Sequence, residues 1–168
     1  MTLGALNAAA EAPFVATLGG IFEHSPWIAA RAWHERPFAS VSELHATMCR
    51  VVARATRDEQ IGLIAAHPDL VGRAALAGSL TPASRDEQAA AGLDRLSAEE
   101  IATFGTLNAV YRARFGFPFV ICVREHRKAA ILAGLRTRVK NAREAEIATA
   151  LGEIEKIARL RLEAMVRG

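Results

Sequence analysis

Helix-start signals recur along almost the whole chain, and this regularity constrains the fold more than any other feature of the sequence. Ser25-Pro26 places a proline at a first helical position, where the missing N–H needs no partner. A serine or threonine followed three residues later by glutamate has the spacing of a capping box, in which the two residues satisfy each other's main-chain N–H groups. The sequence therefore predicts an all-α fold. The pairs with this spacing are Ser40 and Glu43, Thr56 and Glu59, Ser84 and Glu87, and Ser97 and Glu100.

The spacing of apolar residues between these signals predicts about eight helices. A chain of 168 residues is short for two separate hydrophobic cores. We therefore expect a single compact all-α domain over residues 1–168. The predicted helices cover residues 3–22, 26–35, 41–55, 57–66, 82–93, 98–114, 126–139 and 143–166.

One segment departs from the helical pattern. Residues 115–123 read Phe-Gly-Phe-Pro-Phe-Val-Ile-Cys-Val, which is rich in aromatic and β-branched residues, and Pro118 would remove a hydrogen bond from a helix. We predict a short extended segment near residues 117–123. Because a helical chain offers it no partner strand, its main-chain groups need partners from side chains, loops or a ligand. The segment is therefore a candidate part of a site.

The distribution of charge argues against a nucleic-acid partner. The net charge is +3, but basic side chains alternate with acidic ones, as in Arg85-Asp86-Glu87, and no basic stripe carries interleaved aromatic residues. No apolar run approaches the roughly 18 to 20 residues of a membrane span. The sequence thus predicts partners that are neither nucleic acid nor membrane.

The cysteines and histidines show no metal-binding pattern. Cys49 and Cys122 lie far apart in apolar runs, which favours buried free thiols and a reducing, cytoplasmic location. The histidines lack a ligand spacing such as HExxH, and the chain has no glycine-rich phosphate loop or dinucleotide fingerprint. We therefore expect no metal and no cofactor.

Two polar residues fall on apolar helix stripes. Arg161 lies between Ala158 and Met165 on the stripe of the last predicted helix. A buried guanidinium has to be paired, so Arg161 either forms a buried salt bridge or binds a carboxylate-like or ureido-like ligand. Asn108 follows Phe104 on another stripe. We favour a structural role for Asn108, with main-chain groups of the extended segment as its partners.

His67 and a group of polar residues near position 84 are the remaining candidates for chemistry. Pro68 disfavours helical backbone at His67, so the preceding helix should end there, and a helix C-terminus favours the protonated imidazole. His67 is then either a proton donor or a helix cap. Ser84, Glu87 and Gln88 share one face if their helix begins at Thr81-Pro82, whereas Ser84 as the N-cap would only form a capping box with Glu87.

The order and spacing of several motifs closely resemble those of the OHCU decarboxylases, enzymes of urate catabolism. The resemblance covers nearly the whole chain, and its most specific parts are the HPDL and FGFPFVI segments. The matching segments are Phe22 to Trp27, His67 to Leu70 with Gly72-Arg73, Ser84 to Gln88, Ala91 to Leu93, Leu107-Asn108 with Tyr111, Phe115 to Ile121, and Glu153 to Leu162.

This resemblance implies an all-helical enzyme that converts 2-oxo-4-hydroxy-4-carboxy-5-ureidoimidazoline to (S)-allantoin and CO2 without a cofactor. It implies a homodimer in the cytoplasm. The catalytic histidine of the family corresponds to His67, and we assign Glu87 to the catalytic residues as well. The positions implied to contact substrate are Pro68, Ser84, Glu87, Gln88, Phe119, Val120, Ile121, Cys122, Val123 and Arg161.

The implied chemistry agrees with these residue types. The substrate's ring imine can accept the electrons left by CO2, so the protein has to supply a fixed pose and a proton on one face. We expect His67 to handle that proton, Ser84 and Glu87 to hold N–H groups, and Arg161 to pair with a carboxylate or ureido oxygen. The alternatives are a helical binding module, in which Arg161 is salt-bridged and His67 only caps a helix, and a hydrolase or cyclase of another ureide.

Overall fold

The computed structural model describes residues 1–72 and 77–168, and within these ranges it contains nine α-helices and no β-strand. Arg73, which belongs to one of the matching segments, lies outside the described residues. The all-α prediction is confirmed. The helices are α1 Leu3–Ala8, α2 Glu11–Leu18, α3 Pro26–Trp33, α4 Val41–Arg54, α5 Arg57–Ala65, α6 Pro82–Ala90, α7 Ala98–Phe115, α8 Lys128–Arg138 and α9 Arg143–Met165.

The chain forms two compact units. The first comprises residues 1–66 and 155–168, and the second comprises residues 67–154. The boundary falls inside α9, which is one continuous helix of 23 residues. The expectation of a single domain over residues 1–168 stays a prediction.

The predicted helix starts form in most places. Thr56 and Glu59 make a complete capping box at α5, and Ser97 and Glu100 make one at α7. Ser40 accepts a hydrogen bond from the Glu43 N–H at α4. A helix start leaves four main-chain N–H groups without a helical acceptor, and each of these N-cap side chains accepts from one of them.

The first predicted helix, residues 3–22, is wrong as a single element. The structure has α1 and α2 separated by Ala9 and Ala10, whose backbones are extended. The reason is Pro13, which has no N–H to donate and whose ring would clash with the Ala9 carbonyl of a continuous helix. The interruption places Pro13 in the first turn of α2, where its N–H would have no helical acceptor in any case.

Each unit has its own apolar core. In the first unit α3 packs against both α2 and α4, and Phe14, Leu18, Ile28 and Leu44 are completely buried. In the second unit α7 packs against α8, with Phe104 and Tyr111 of α7 and Ile131 and Leu135 of α8 completely buried. Each such side chain contributes about 1.5–3 kcal/mol relative to an exposed one.

The stripe predicted on the last helix is confirmed except at its end. The predicted members are Ile147, Leu151, Ile154, Ala158, Arg161 and Met165. Ile147, Ile154 and Ala158 are buried and Leu151 is half-buried, but Met165 is exposed, and Leu162 and Val166 are buried instead. At the end of the helix the buried stripe thus runs through residues 162 and 166, one position after the predicted residues 161 and 165.

The two ends of the chain pair with each other inside the first unit. Thr2 and Arg167 form an isolated parallel β-bridge. The Leu3 N–H donates to the Arg167 carbonyl at 2.9 Å, and the Arg167 N–H donates to the Met1 carbonyl at 2.9 Å. No helix in the described ranges has the length and apolar character needed to cross a bilayer.

Candidate active site

The loop that begins at His67 has a tight and strained backbone. His67 is buried, follows the last residues of α5, and is the first residue of the second unit. Val71 has a φ of +53°, an uncommon left-handed conformation for a β-branched residue. A Cβ at Gly72 would lie 2.6 Å from the Asp69 Cβ, so this turn requires glycine. Strain of this kind persists only where neighbouring contacts hold the backbone.

Side chains of α6 and α7 supply those contacts. The Asn108 amide donates to the Leu70 carbonyl at 2.7 Å, and the Val71 N–H donates to Gln88 Oε1 at 3.2 Å. The Arg112 guanidinium lies 3.0 Å from the Asp69 carboxylate. Asn108 therefore has the predicted structural role, but its partner is the loop after His67 and not the segment after α7.

The polar group on α6 lies within the helix. Thr81 is the N-cap and accepts a hydrogen bond from the Ser84 N–H at 3.3 Å, so Ser84 cannot be the cap. Ser84, Glu87 and Gln88 therefore share one face, and Ser84 and Gln88 are buried. Of the two alternatives read from the sequence, the capping box between Ser84 and Glu87 is the wrong one. The reason is Pro82, which takes the first helical position.

The segment from Phe117 to Cys122 forms neither helix nor strand, and all of its residues are buried. At Val123 the chain turns into a short 3₁₀-helix, Val123–Glu125, so the predicted extended segment ends one residue early. Helix α6 packs against this 3₁₀-helix. Helix α6 and the end of the segment are therefore neighbours in the second unit.

Two ionic side chains hold the main chain of this segment. Arg138 Nη1 donates to the Val120 carbonyl at 2.7 Å, and the Cys122 N–H donates to Glu153 Oε2 at 2.8 Å. The Arg138 guanidinium also lies 4.4 Å from the centre of the Phe119 ring. These contacts supply partners that the segment lacks because no strand lies beside it.

A buried carboxylate fixes Arg138 in turn. Glu146 is completely buried and accepts from Arg138 Nε at 2.7 Å and from the Asn141 amide at 2.9 Å. The Tyr111 hydroxyl donates to the same carboxylate. Burial, followed by the hydrogen bond and the charge of Glu146, raises the pKa of Tyr111. The ring of Tyr111 also packs against that of Phe119, with 5.4 Å between the centroids.

Arg161 has a carboxylate partner in the first unit. Its Nη1 lies 2.8 Å from Glu23 Oε2, and both side chains are buried. The same nitrogen lies 3.4 Å from the Ile21 carbonyl oxygen. The salt-bridge alternative for Arg161 is therefore present. A guanidinium carries five N–H donors, so a salt bridge leaves binding of a ligand chemically possible, and that role stays a prediction.

The two cysteines are free thiols in different surroundings. Cys122 is buried as expected, whereas Cys49 is half-buried with its Sγ 3.4 Å from His45 Nε2. Burial raises the pKa of Cys49 to about 12, and burial also raises the pKa of Cys122. Both thiols are neutral at physiological pH, so neither is an activated nucleophile. The contribution of Cys122 to the segment comes from its main chain.

Among the site residues predicted from the sequence, the second unit contains all except Arg161. The Val71 to Gln88 hydrogen bond joins the His67 loop to α6, and α6, which contains Ser84 and Glu87, packs against the 3₁₀-helix that begins at Val123. Sequence reasoning missed Glu23 as the partner of Arg161 and missed the contacts that Arg138 and Glu153 make with the segment. Glu23 and Glu153 lie inside matching segments, which is the signal that could have found them.

Comparison with known proteins identifies the family. The family model described as OHCU decarboxylase matches residues 7–163. The 2-oxo-4-hydroxy-4-carboxy-5-ureidoimidazoline decarboxylase of Haloferax volcanii is 46% identical over 162 residues, which is 96% of this chain and 94% of that protein. A crystal structure of (S)-allantoin synthase matches with a TM-score of 0.79 and 30% identity, over 99% of this chain and 54% of that chain. A crystal structure of OHCU decarboxylase in the presence of (S)-allantoin has the same fold, with a TM-score of 0.71 and 23% identity over 93% of this chain and 97% of that one. The resemblance seen in the HPDL and FGFPFVI segments is thus confirmed, and the chain belongs to the OHCU decarboxylase family.

Proposed function

We propose that the chain decarboxylates 2-oxo-4-hydroxy-4-carboxy-5-ureidoimidazoline to (S)-allantoin and CO2 in urate catabolism. Family membership over nearly the whole chain supports this activity. The structural observation that carries the proposal is the Val71 to Gln88 hydrogen bond. Together with the packing of α6 on Val123–Glu125, it links the His67 loop, helix α6 and the end of the segment from Phe117 to Cys122 within one unit.

The residues of this unit match what the reaction requires. When the carboxylate leaves as CO2, the electrons of the broken C–C bond move to the ring imine of the substrate itself, so no cofactor is needed to accept them. A proton must then be added to one face of the ring carbon, because a single enantiomer is released. His67 is buried and titratable, and we assign it this proton transfer, with Glu87 as the second catalytic group.

The other assignments concern binding. Ser84, Glu87 and Gln88 hold N–H and carbonyl groups of the ureido arm or ring from the α6 face. Gln88 Oε1 already accepts from Val71, so we assign the contact with the ligand to its amide nitrogen. Pro68 and the main chain of residues 119–123 contact the ring, and Arg161 pairs with a carboxylate or ureido oxygen. We further propose a cytoplasmic homodimer.

The test couples urate oxidation to this protein and follows the product by circular dichroism. The protein should accelerate formation of allantoin and give the S enantiomer. His67→Asn should lose about a hundredfold or more of turnover, as expected for a missing general acid-base group, while the exposed control His34→Asn keeps it. Full activity in His67→Asn would refute the role of His67. A wild-type protein that changes neither the rate nor the enantiomer would refute the activity itself, and detection of another product would favour a different ureide enzyme.

A further inference from the structure

The two peptide groups on either side of Ile121 are fixed by ionic side chains. Arg138 holds the carbonyl of Val120, and Glu153 holds the N–H of Cys122. In a planar trans peptide the C=O and the following N–H point in opposite directions. The Ile121 N–H therefore points away from Arg138, and the Ile121 carbonyl points away from Glu153. Both polar groups of one residue are thus directed away from the side chains that hold their peptides.

Ile121 is buried, with 7% of its surface exposed. Within residues 1–72 and 77–168, no hydrogen bond is made to its main-chain N–H or C=O. Buried main-chain groups are almost always paired, because an unpaired one costs roughly 1–3 kcal/mol. A donor and an acceptor on the same buried residue, neither of them hydrogen-bonded within the described ranges, indicate a ligand that offers an acceptor beside a donor. The amide edge of a ureide or of a cyclic imide has this arrangement.

The ionic side chains also strengthen the two groups. A cation that donates to the Val120 carbonyl polarises that peptide and makes the Ile121 N–H a better donor. A carboxylate that accepts from the Cys122 N–H makes the Ile121 carbonyl a better acceptor. Hydrogen bonds in such chains strengthen one another by about 10–30% each. Arg138 can remain charged in this nearly buried position because Glu146 compensates its charge and fixes its orientation.

We propose that Arg138 and Glu153 are positioning residues that hold Ile121 as a donor and acceptor pair for the amide edge of the substrate. This inference rests on the proposed function, since the substrate is the ureidoimidazoline. Neither side chain needs to touch the substrate. Their effect passes through the backbone, so it should change binding more than the removal of an ion pair elsewhere in the second unit that does not hold the segment.

The test measures kcat, KM and the Kd for allantoin in four variants and one control. Glu153→Leu and Arg138→Met remove the contacts to the segment, whereas Glu153→Gln keeps an acceptor oxygen for the Cys122 N–H. Arg138→Lys keeps the charge but not the planar set of donors that reaches two partners. The control is Lys128→Met, which breaks the exposed pair of Lys128 with Glu100 in the same unit.

We expect Glu153→Leu and Arg138→Met to raise KM and the Kd for allantoin about tenfold or more, since misplacement of a binding group costs factors of this size. Glu153→Gln should stay within about threefold of wild type, Arg138→Lys should fall between Arg138→Met and wild type, and Lys128→Met should leave both constants unchanged. In ¹H–¹⁵N spectra the Ile121 amide should shift on addition of allantoin in wild type and much less in Glu153→Leu.

Three outcomes would overturn the inference: constants within twofold of wild type in both Glu153→Leu and Arg138→Met, a Glu153→Gln variant as impaired as Glu153→Leu, or an Ile121 amide that does not respond to allantoin. If Arg138→Met does not fold, the comparison of the two Glu153 variants decides. An inactive wild-type protein would instead contradict the proposed function, and the two failures are therefore distinguishable.

Discussion

Replacing Glu146 with leucine should strongly destabilise the second unit. The Glu146 carboxylate is completely buried and accepts hydrogen bonds from Tyr111, Arg138 and Asn141. The Arg138 side chain is itself only 11% exposed, so the variant leaves a guanidinium charge with little access to water. Removing one partner of a buried ion pair costs about 3–5 kcal/mol, because the remaining charge loses its compensation.

This cost translates into a large shift of the melting temperature. For a chain of 168 residues, each kcal/mol corresponds to about 2–4 °C, so Glu146→Leu should lower the Tm by on the order of 10 °C. Far-UV circular dichroism follows unfolding of both units. The absorbance of Tyr111, the single tyrosine of the chain, reports on the second unit directly.

The matched control is Glu35→Leu. Glu35 pairs with Arg50 at 3.2 Å and with Arg54 at 3.7 Å, and all three side chains are at least 36% exposed. Exposed pairs contribute only about 0–1 kcal/mol, so the Tm of this variant should change by a few degrees at most. A Glu146→Leu variant that loses less than about 1 kcal/mol, or no more than the control, would refute the reasoning about the buried carboxylate.

Three other measurements test the described surroundings of single residues. Burial and Glu146 raise the pKa of Tyr111, so phenolate absorbance should appear well above pH 10 in the folded protein and at about pH 10 in urea. The stability that this shift contributes is present below about pH 10 and is lost as the pH rises through the pKa of the folded state. A folded protein whose tyrosine titrates at about pH 10 would contradict the prediction. Burial raises the pKa of Cys49 to about 12 and also raises the pKa of Cys122. Iodoacetamide at about pH 8 should therefore label both thiols far more slowly in the folded than in the unfolded protein. Equal labelling rates in the two states would argue against buried neutral thiols. Thr56→Ala removes the capping box of α5 and should cost about 1 kcal/mol in chemical denaturation, with no change expected if the cap contributes nothing.

Features that depend on neighbouring residues could be predicted from the sequence. The capping boxes at Thr56 and Ser97 involve residues three positions apart, so their spacing was sufficient to place the starts of α5 and α7. Pro13 was also sufficient to predict the break between α1 and α2, because a proline cannot lie inside a continuous helix without loss of a hydrogen bond. Apolar periodicity alone favoured one helix. The dipeptide Thr81-Pro82 is likewise a helix-start signal, and because α6 begins there, Ser84 lies inside the helix.

Contacts between distant residues could not be predicted in the same way. Glu23 and Arg161 are separated by 138 positions, and Tyr111 and Glu146 by 35. Each of these residues has several possible partners of suitable charge, and only the packing of helices selects one. The sequence could show that Arg161 needs a partner, because a buried guanidinium is costly, but it could not identify which carboxylate provides it.

The bridge between Thr2 and Arg167 holds the backbones near the two ends of this chain side by side. A short linker could therefore close the backbone into a circle, and new ends could be opened in an exposed loop without lengthening any connection. For the same reason the chain is suited to insertion into a surface loop of a host protein, since the two junctions would need to be only a few ångströms apart.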